Sequence, residues 1–212
     1  MIIRSIIAAF LLASGSLHAA LINSSSMIYS YAGTISHGGV DIRSDSATGS
    51  GFTGDSFSIP GGPDGLTLEI GGEGSFDDFG EEVYLSLSVY HEIFSPGRYP
   101  STIATTMTVT FDLSSDATIL FNIQTPMFTG EVTGSSSIKL DGSDVVSGET
   151  INLGSGLHTL VFAIDGLSEG WDGGYESFGL DATIAAVPEP GSWALLAGGI
   201  VAAWGVARRR VA

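Results

Sequence analysis

Apolar residues in the middle of the chain recur at every second position, in short runs broken by Gly, Ser, Asp and Pro. A period of two is the signature of strands with one face buried. Val83, Leu85, Leu87 and Val89 alternate with Tyr84, Ser86, Ser88 and Tyr90, the most regular run in the sequence. Leu66 to Ile70, Met107 to Phe111, Ile119 to Ile123, and Ile138 to Leu140 repeat the pattern. So do Ile151 to Leu153, Gly156 to Ile164, and Phe178 to Ile184. Met27 to Tyr31, Val40 to Arg43, and a run through Phe52, Phe57 and Ile59 complete the series. Sustained 3.6-residue periodicity is absent between Leu21 and Val187.

Turn chemistry separates these runs. Pro60 to Gly65, Pro96-Gly97 and Asp141-Gly142 are turn clusters, and Ser114-Ser115-Asp116 reads as a hairpin connection. Asp45 to Gly54 and Gly71 to Glu82 read as loops, one rich in Ser and Gly, the other in Gly and acids. About ten short strands with turns every 8–12 residues predict an all-β domain. The expected form is a two-sheet antiparallel β-sandwich, jelly-roll-like. A β-helix is the rival, but no fixed repeat of about 20–25 residues occurs. Thr108 to Ile164 is also similar in its strand grammar to non-catalytic β-sandwich modules, carbohydrate-binding domains among them.

Both ends break from this pattern. Arg4 precedes an apolar run from Ile6 to Ala13, then Ser14-Gly15-Ser16 and Leu17-His18-Ala19-Ala20. That order predicts a secretory signal peptide over residues 1–20, cleaved after Ala19 or Ala20. The alternative is an uncleaved anchor, although the run is short for a span. At the other end, Val187-Pro188-Glu189-Pro190-Gly191 cannot continue a helix or a central strand, since two prolines fix φ and remove donors. Ser192 to Ala207 then carries no charge and holds Trp193 and Trp204, and Arg208-Arg209-Arg210 follows. A short transmembrane helix with an interfacial aromatic and a cytoplasmic arginine stop is expected. The rivals are a buried helix closing a soluble domain, and a permanent anchor.

Val-Pro-Glu-Pro, a short hydrophobic helix and a terminal arginine cluster together resemble the PEP-CTERM sorting signal of exported bacterial proteins. The resemblance covers Pro188, Glu189 and Pro190, Trp193 to Val206, and Arg208 to Arg210, and leaves the rest of the chain unassigned. It implies a precursor held in the inner membrane, an exosortase-type enzyme acting near Pro188-Glu189-Pro190, and a cell-surface or extracellular destination. The expected division is a signal peptide at 1–20, a β-sandwich at 21–186 and a sorting tail at 187–212.

Charge narrows the function of the middle. Of the 23 acidic residues all but Glu189 lie there, against only Arg43, Arg98 and Lys139. A phosphate backbone needs the opposite sign, so nucleic acid is excluded as a partner. The chain has no cysteine, hence no disulfide, lipoprotein anchor or thiol nucleophile. His91-Glu92 lacks the second histidine of a zinc-protease motif, and His158 reads as structural. No Gly-x-Ser-x-Gly elbow or phosphate loop occurs. No catalytic residues are therefore assigned, and the expected protein is non-enzymatic.

Two acidic stretches carry the candidate sites. Asp77, Asp78, Glu81 and Glu82 supply hard oxygen ligands that suit Ca²⁺, although the spacing fits no EF-hand; the alternative is a solvated acidic loop. Trp171 and Tyr175 beside Asp172 and Glu176 could stack on a sugar ring while the carboxylates accept its hydroxyls. Equally, Trp171 could cap the core at a sheet corner. A Ca²⁺-dependent carbohydrate-binding module and a polysaccharide-active enzyme are the two alternative functions, and extracellular polysaccharide is the partner both imply.

Overall fold

The computed structural model describes residues 21–37, 40–51, 55–59, 67–79, 82–94, 100–130, 132–168, 174–187 and 198–200. The expected signal peptide lies outside the described residues. So does almost all of the expected membrane helix, of which only residues 198–200 are described, as helix. Among the described residues no helix is long and apolar enough to cross a membrane.

Among the described residues there are thirteen strands. They are β1 (Ile22–His37), β2 (Val40–Ser50), β3 (Asp55–Ile59), β4 (Thr67–Asp78), β5 (Glu82–Phe94), β6 (Ser101–Leu113) and β7 (Ala117–Ile123). After these come β8 (Met127–Phe128), β9 (Val132–Leu140), β10 (Ser143–Asp144), β11 (Thr150–Leu153), β12 (Gly156–Ser168) and β13 (Gly174–Ala186). They form two antiparallel sheets and no closed barrel. The first has the order β10-β9-β12-β6-β1-β2; the second is β11-β7-β13-β5-β4-β3, with β8 also pairing β13. From β5 onward the longer strands alternate between the sheets: β5, β7, β11 and β13 in one, β6, β9 and β12 in the other.

The period of two in the sequence becomes the two faces of each sheet. Along β6, Ile103, Met107, Val109, Phe111 and Leu113 are buried, while Thr102, Ala104, Thr106, Thr108 and Thr110 turn the other way. Val83, Leu85, Leu87 and Val89 of β5 meet them across one shared core, together with Phe162 of β12 and Phe178 of β13. The last two rings stack with centroids 4.6 Å apart, which joins the layers at their centre. Each large side chain so buried contributes about 1.5–3 kcal/mol relative to exposure.

Three expectations from the sequence are corrected. The stretch from Gly71 to Glu82 is mostly not a loop, because β4 runs through Asp78. Its glycines are imprints of neighbouring side chains: a Cβ at Gly71 would fall within the Tyr90 ring, and one at Gly72 against Met107. At Gly74 it would meet Leu87 and Met27 at 2.9–3.0 Å. Asp45 to Ser50 likewise belongs to β2, where Gly49 makes room for Tyr29. Glycine there signals close packing on a pleated surface rather than a turn.

Ser114-Ser115-Asp116 is not a hairpin either, since it carries the chain from β6 in one sheet to β7 in the other. Leu113 and Ala117 on its two sides are both buried, so these three residues arch over one end of the core. Backbone and side-chain bonds from Ser114 to the Leu21 carbonyl, at 2.9 and 3.1 Å, hold the arch down. Asp141-Gly142 is the tight turn the sequence predicts. Both residues have positive φ, 50° and 83°, and Leu140 pairs with Ser143 across a two-residue loop.

Candidate functional site

The last strand delivers the tail. β13 lies between β5 and β7, and its final pair is Ala186 with Ala117. The Val187 amide then donates to the Asp116 carbonyl at 3.0 Å, on the arch over the core. Pro188, Glu189 and Pro190 follow directly and lie outside the described residues, as do Arg208, Arg209 and Arg210. Beside this exit, Phe79 is 73% exposed and sets its ring edge-on to Tyr84 at 5.6 Å. Phe79, Glu82, Ala185 and Ala186 line a shallow hollow there. The Tyr84 hydroxyl donates to Glu82 Oε2 at 2.8 Å. That bond, then the Glu82 charge, raises the phenol pKa, because both hold the proton in place.

Asp77, Asp78 and Glu82 stand at the facing ends of β4 and β5, all exposed; Glu81 lies outside the described residues. Among the described residues no group of three or more His, Asp or Glu side chains is placed to hold a metal ion. Glu82 spends one carboxylate oxygen on Tyr84 instead.

The expected sugar-binding stretch is divided by the pleat. Trp171 and Asp172 lie outside the described residues. Tyr175 is half-buried on the outer face of its sheet, its ring within 15° of parallel to that of Tyr90 and 6.4 Å away. Glu176, one residue on, points the opposite way and is 0% exposed. It therefore cannot flank a ligand resting on Tyr175, which corrects its placement among the outward carboxylates.

Inside, Glu176 belongs to a polar cluster. His91 of β5 and Glu176 of β13 are direct cross-strand partners, with Nδ1 2.9 Å from Oε2. His91 Nε2 lies 2.7 Å from Thr105 Oγ1 of β6, in the other sheet. Gly166 of β12 closes the site, and a Cβ there would collide with Glu176 Oε2. Glu176 Oε1 has no hydrogen-bond partner among the described residues. Hydroxyl, imidazole and carboxylate follow one another as in nucleophilic triads. Thr105, His91 and Glu176 are, however, 1%, 1% and 0% exposed, so no substrate can reach them in this arrangement.

Sequence reasoning on motifs missed this cluster, but its signal was present. His91 continues the inward series Val83, Leu85, Leu87, Val89, and Glu176 precedes Phe178, Leu180, Ala182 and Ile184 in the same phase. Thr105 falls between Ile103 and Met107. A polar residue in the apolar phase of a strand is placed inside by the pleat and needs a partner there.

His158, expected to be structural, caps the Asp141-Gly142 turn. Its Nδ1 lies 2.7 Å from Asp141 Oδ2 and its Nε2 2.8 Å from the Gly154 carbonyl. Partial burial lowers its pKa, but the hydrogen bonds to Asp141 and Gly154 and the charges of Asp141 and Asp112 outweigh that, leaving it raised. A broad groove of about 520 Å³ crosses the outer face of the first sheet, lined by hydroxyls including Thr34, Thr102, Thr133 and Ser135, with Asp165. Among the described residues no aromatic side chain lines it.

Comparison with known proteins adds the tail's identity. A family model described as the PEP-CTERM protein-sorting motif matches residues 186–210. No curated protein and no solved structure matches the chain significantly. The motif implies an exported protein processed by exosortase, a membrane enzyme. Its match begins at Ala186, the residue that closes β13, so the chain carries a PEP-CTERM sorting motif directly after its all-β body.

Proposed function

We propose that this is a non-enzymatic β-sandwich protein of the cell surface or extracellular matrix, delivered there through its PEP-CTERM tail. The match at 186–210, fused to the end of β13, is the observation that carries the reading. The alternation of strands between sheets from β5 onward supports a jelly-roll-like sandwich. A non-enzymatic role is supported by the complete burial of the one hydroxyl–imidazole–carboxylate cluster among the described residues. In this reading the tail is an anchor for the precursor in the inner membrane, with Arg208, Arg209 and Arg210 on the cytoplasmic side.

The test replaces Pro188, Glu189 and Pro190 with alanine in a host that has the processing enzyme. Unprocessed precursor should accumulate in the inner-membrane fraction, with the mature form lost from the surface. Processing at the wild-type rate would overturn the reading. A second reading, binding to carbohydrate, is favoured by one observation, the parallel Tyr90 and Tyr175 rings.

A further inference from the structure

We propose that Tyr90 and Tyr175 form a flat platform that binds neutral, equatorially linked polysaccharide on the outer face of the second sheet. The platform begins with a missing side chain. Gly71 of β4 is the direct cross-strand partner of Tyr90, and a Cβ at Gly71 would fall within the Tyr90 ring, so the phenol lies across the neighbouring strand. A side chain that normally stands up from a sheet is here laid down on it.

Tyr175 sits on β13, diagonal to Tyr90, and the planes of the two rings lie within 15° of parallel. The two rings are stacked with their centroids 6.4 Å apart. Both are half-buried, so each is fixed by what lies beneath it while keeping area for a ligand.

Rings held flat in this way select their occupant. A pyranose linked through equatorial bonds presents a flat face of C–H groups, which matches an aromatic face; an axially linked chain curls and does not. Around the rings stand Glu73, Ser88 and Glu92, all on the same outer face and rich in acceptors for sugar hydroxyls. Their charge, and the excess of acids throughout the body, repels uronate or sulfated polymers. The ligand is therefore a neutral β-1,4-linked glycan. The proposal deepens the surface reading, which supplies such polymers outside the cell, but its binding step is independent of tail processing.

The experiment is calorimetric titration of the full-length chain, in mild detergent, with cellohexaose, mannohexaose, maltohexaose and polygalacturonate. Heat of binding is expected with at least one of the first two and with neither of the others. Tyr90→Ala and Tyr175→Ala should each weaken binding about three- to tenfold, the factor that ring stacking carries. Tyr90→Phe should bind nearly as wild type. Gly71→Ala, which keeps both tyrosines but lifts one ring, should also lose affinity, with its circular dichroism unchanged. Absence of heat with both β-1,4-linked probes overturns the platform, as does equal binding of polygalacturonate or full affinity in the two alanine variants. Failed processing of the tail variants would leave these results untouched, so the two readings fail separately.

Discussion

His91 Nδ1 and Glu176 Oε2 lie 2.9 Å apart on adjacent strands, fully buried near one end of the shared core. They are direct cross-strand partners, so the antiparallel register of β5 and β13 sets their separation. Thr105 reaches the same imidazole from the opposite sheet at 2.7 Å, and this chain of hydrogen bonds ties the two layers together. A one-residue slip of β5 or β13 in its pairing register would turn that strand's group outward. The cluster thus specifies register as well as contributing energy.

Removing one member should show this. His91→Leu leaves the Glu176 carboxylate buried without its partner, and breaking a buried pair in this way costs about 3–5 kcal/mol. Adding Glu176→Leu to His91→Leu should recover a large part of that loss, because two apolar groups leave nothing unsatisfied. Urea unfolding midpoints of the two single variants and the double variant measure the coupling. Strict additivity would show that the two side chains do not act on each other.

The wall behind Glu176 makes a second expectation. Gly166→Ala places a methyl against Glu176 Oε2, with His91 Nδ1 only 3.5 Å away, and a packed polar cluster has no room to yield. Overpacking of this kind costs about 1–3 kcal/mol. Gly154→Ala meets nothing within 4 Å and should stay within about 0.5 kcal/mol of wild type. Thermal unfolding of the pair separates crowding from any general intolerance of alanine in this fold.

The turn at Asp141 gives a pH signature. His158 has its pKa raised on folding, so its imidazole binds a proton more tightly in the native state than in the unfolded one. The stability it adds is complete below the ordinary imidazole value, near pH 6.5, and fades as pH rises through the folded value. Wild type should therefore exceed His158→Gln in urea midpoint most clearly at about pH 5, with the gap narrowing as pH rises past the ordinary imidazole value. Ring-proton titration of His158 by NMR checks the direction independently. A gap that widened with pH would reverse the assignment.

These features were unequally visible in the sequence. Val83 to Val89 and Phe178 to Ile184 announced strands because a single buried face writes alternation directly into the chain. The same phase carried His91 and Glu176 inside, yet a motif search passes over them, since they are 85 residues apart and meet only through strand pairing. Gly71, Gly72 and Gly74 misled for the opposite reason. Locally they read as a flexible loop, and only the side chains of Tyr90, Met107, Met27 and Leu87 from other strands explain why glycine stands there. In the sequence Tyr175 reads as a surface aromatic beside Trp171, which lies outside the described residues. The parallel ring neighbour of Tyr175, Tyr90, comes from the adjacent strand and is separated from it by 85 residues of sequence, so no local pattern points to it. The sorting motif was the most legible part of all, because its chemistry is read as a linear segment and needs no fold to assemble it.

That linear segment nevertheless begins where the fold ends. The Val187 amide is bonded to the Asp116 carbonyl at 3.0 Å, and Pro188 comes next. An enzyme acting at Pro188-Glu189-Pro190 must fit an extended peptide into its cleft, yet the body stands immediately on one side, with Ala185, Ala186 and Phe79 at the exit. A six-residue Gly/Ser spacer inserted between Ala186 and Val187 would add up to about 20 Å of reach. It would cost the domain at most one backbone hydrogen bond, about 0.5–1.5 kcal/mol. Pulse-chase labelling should then show the precursor converted several-fold faster than in the wild type, with an unchanged urea midpoint for the body. A scrambled spacer of equal length should behave identically, since only distance matters. If conversion is instead slowed by either spacer, the enzyme recognises the sheet end together with the motif, and the short connection serves as part of the signal rather than as an obstruction to it.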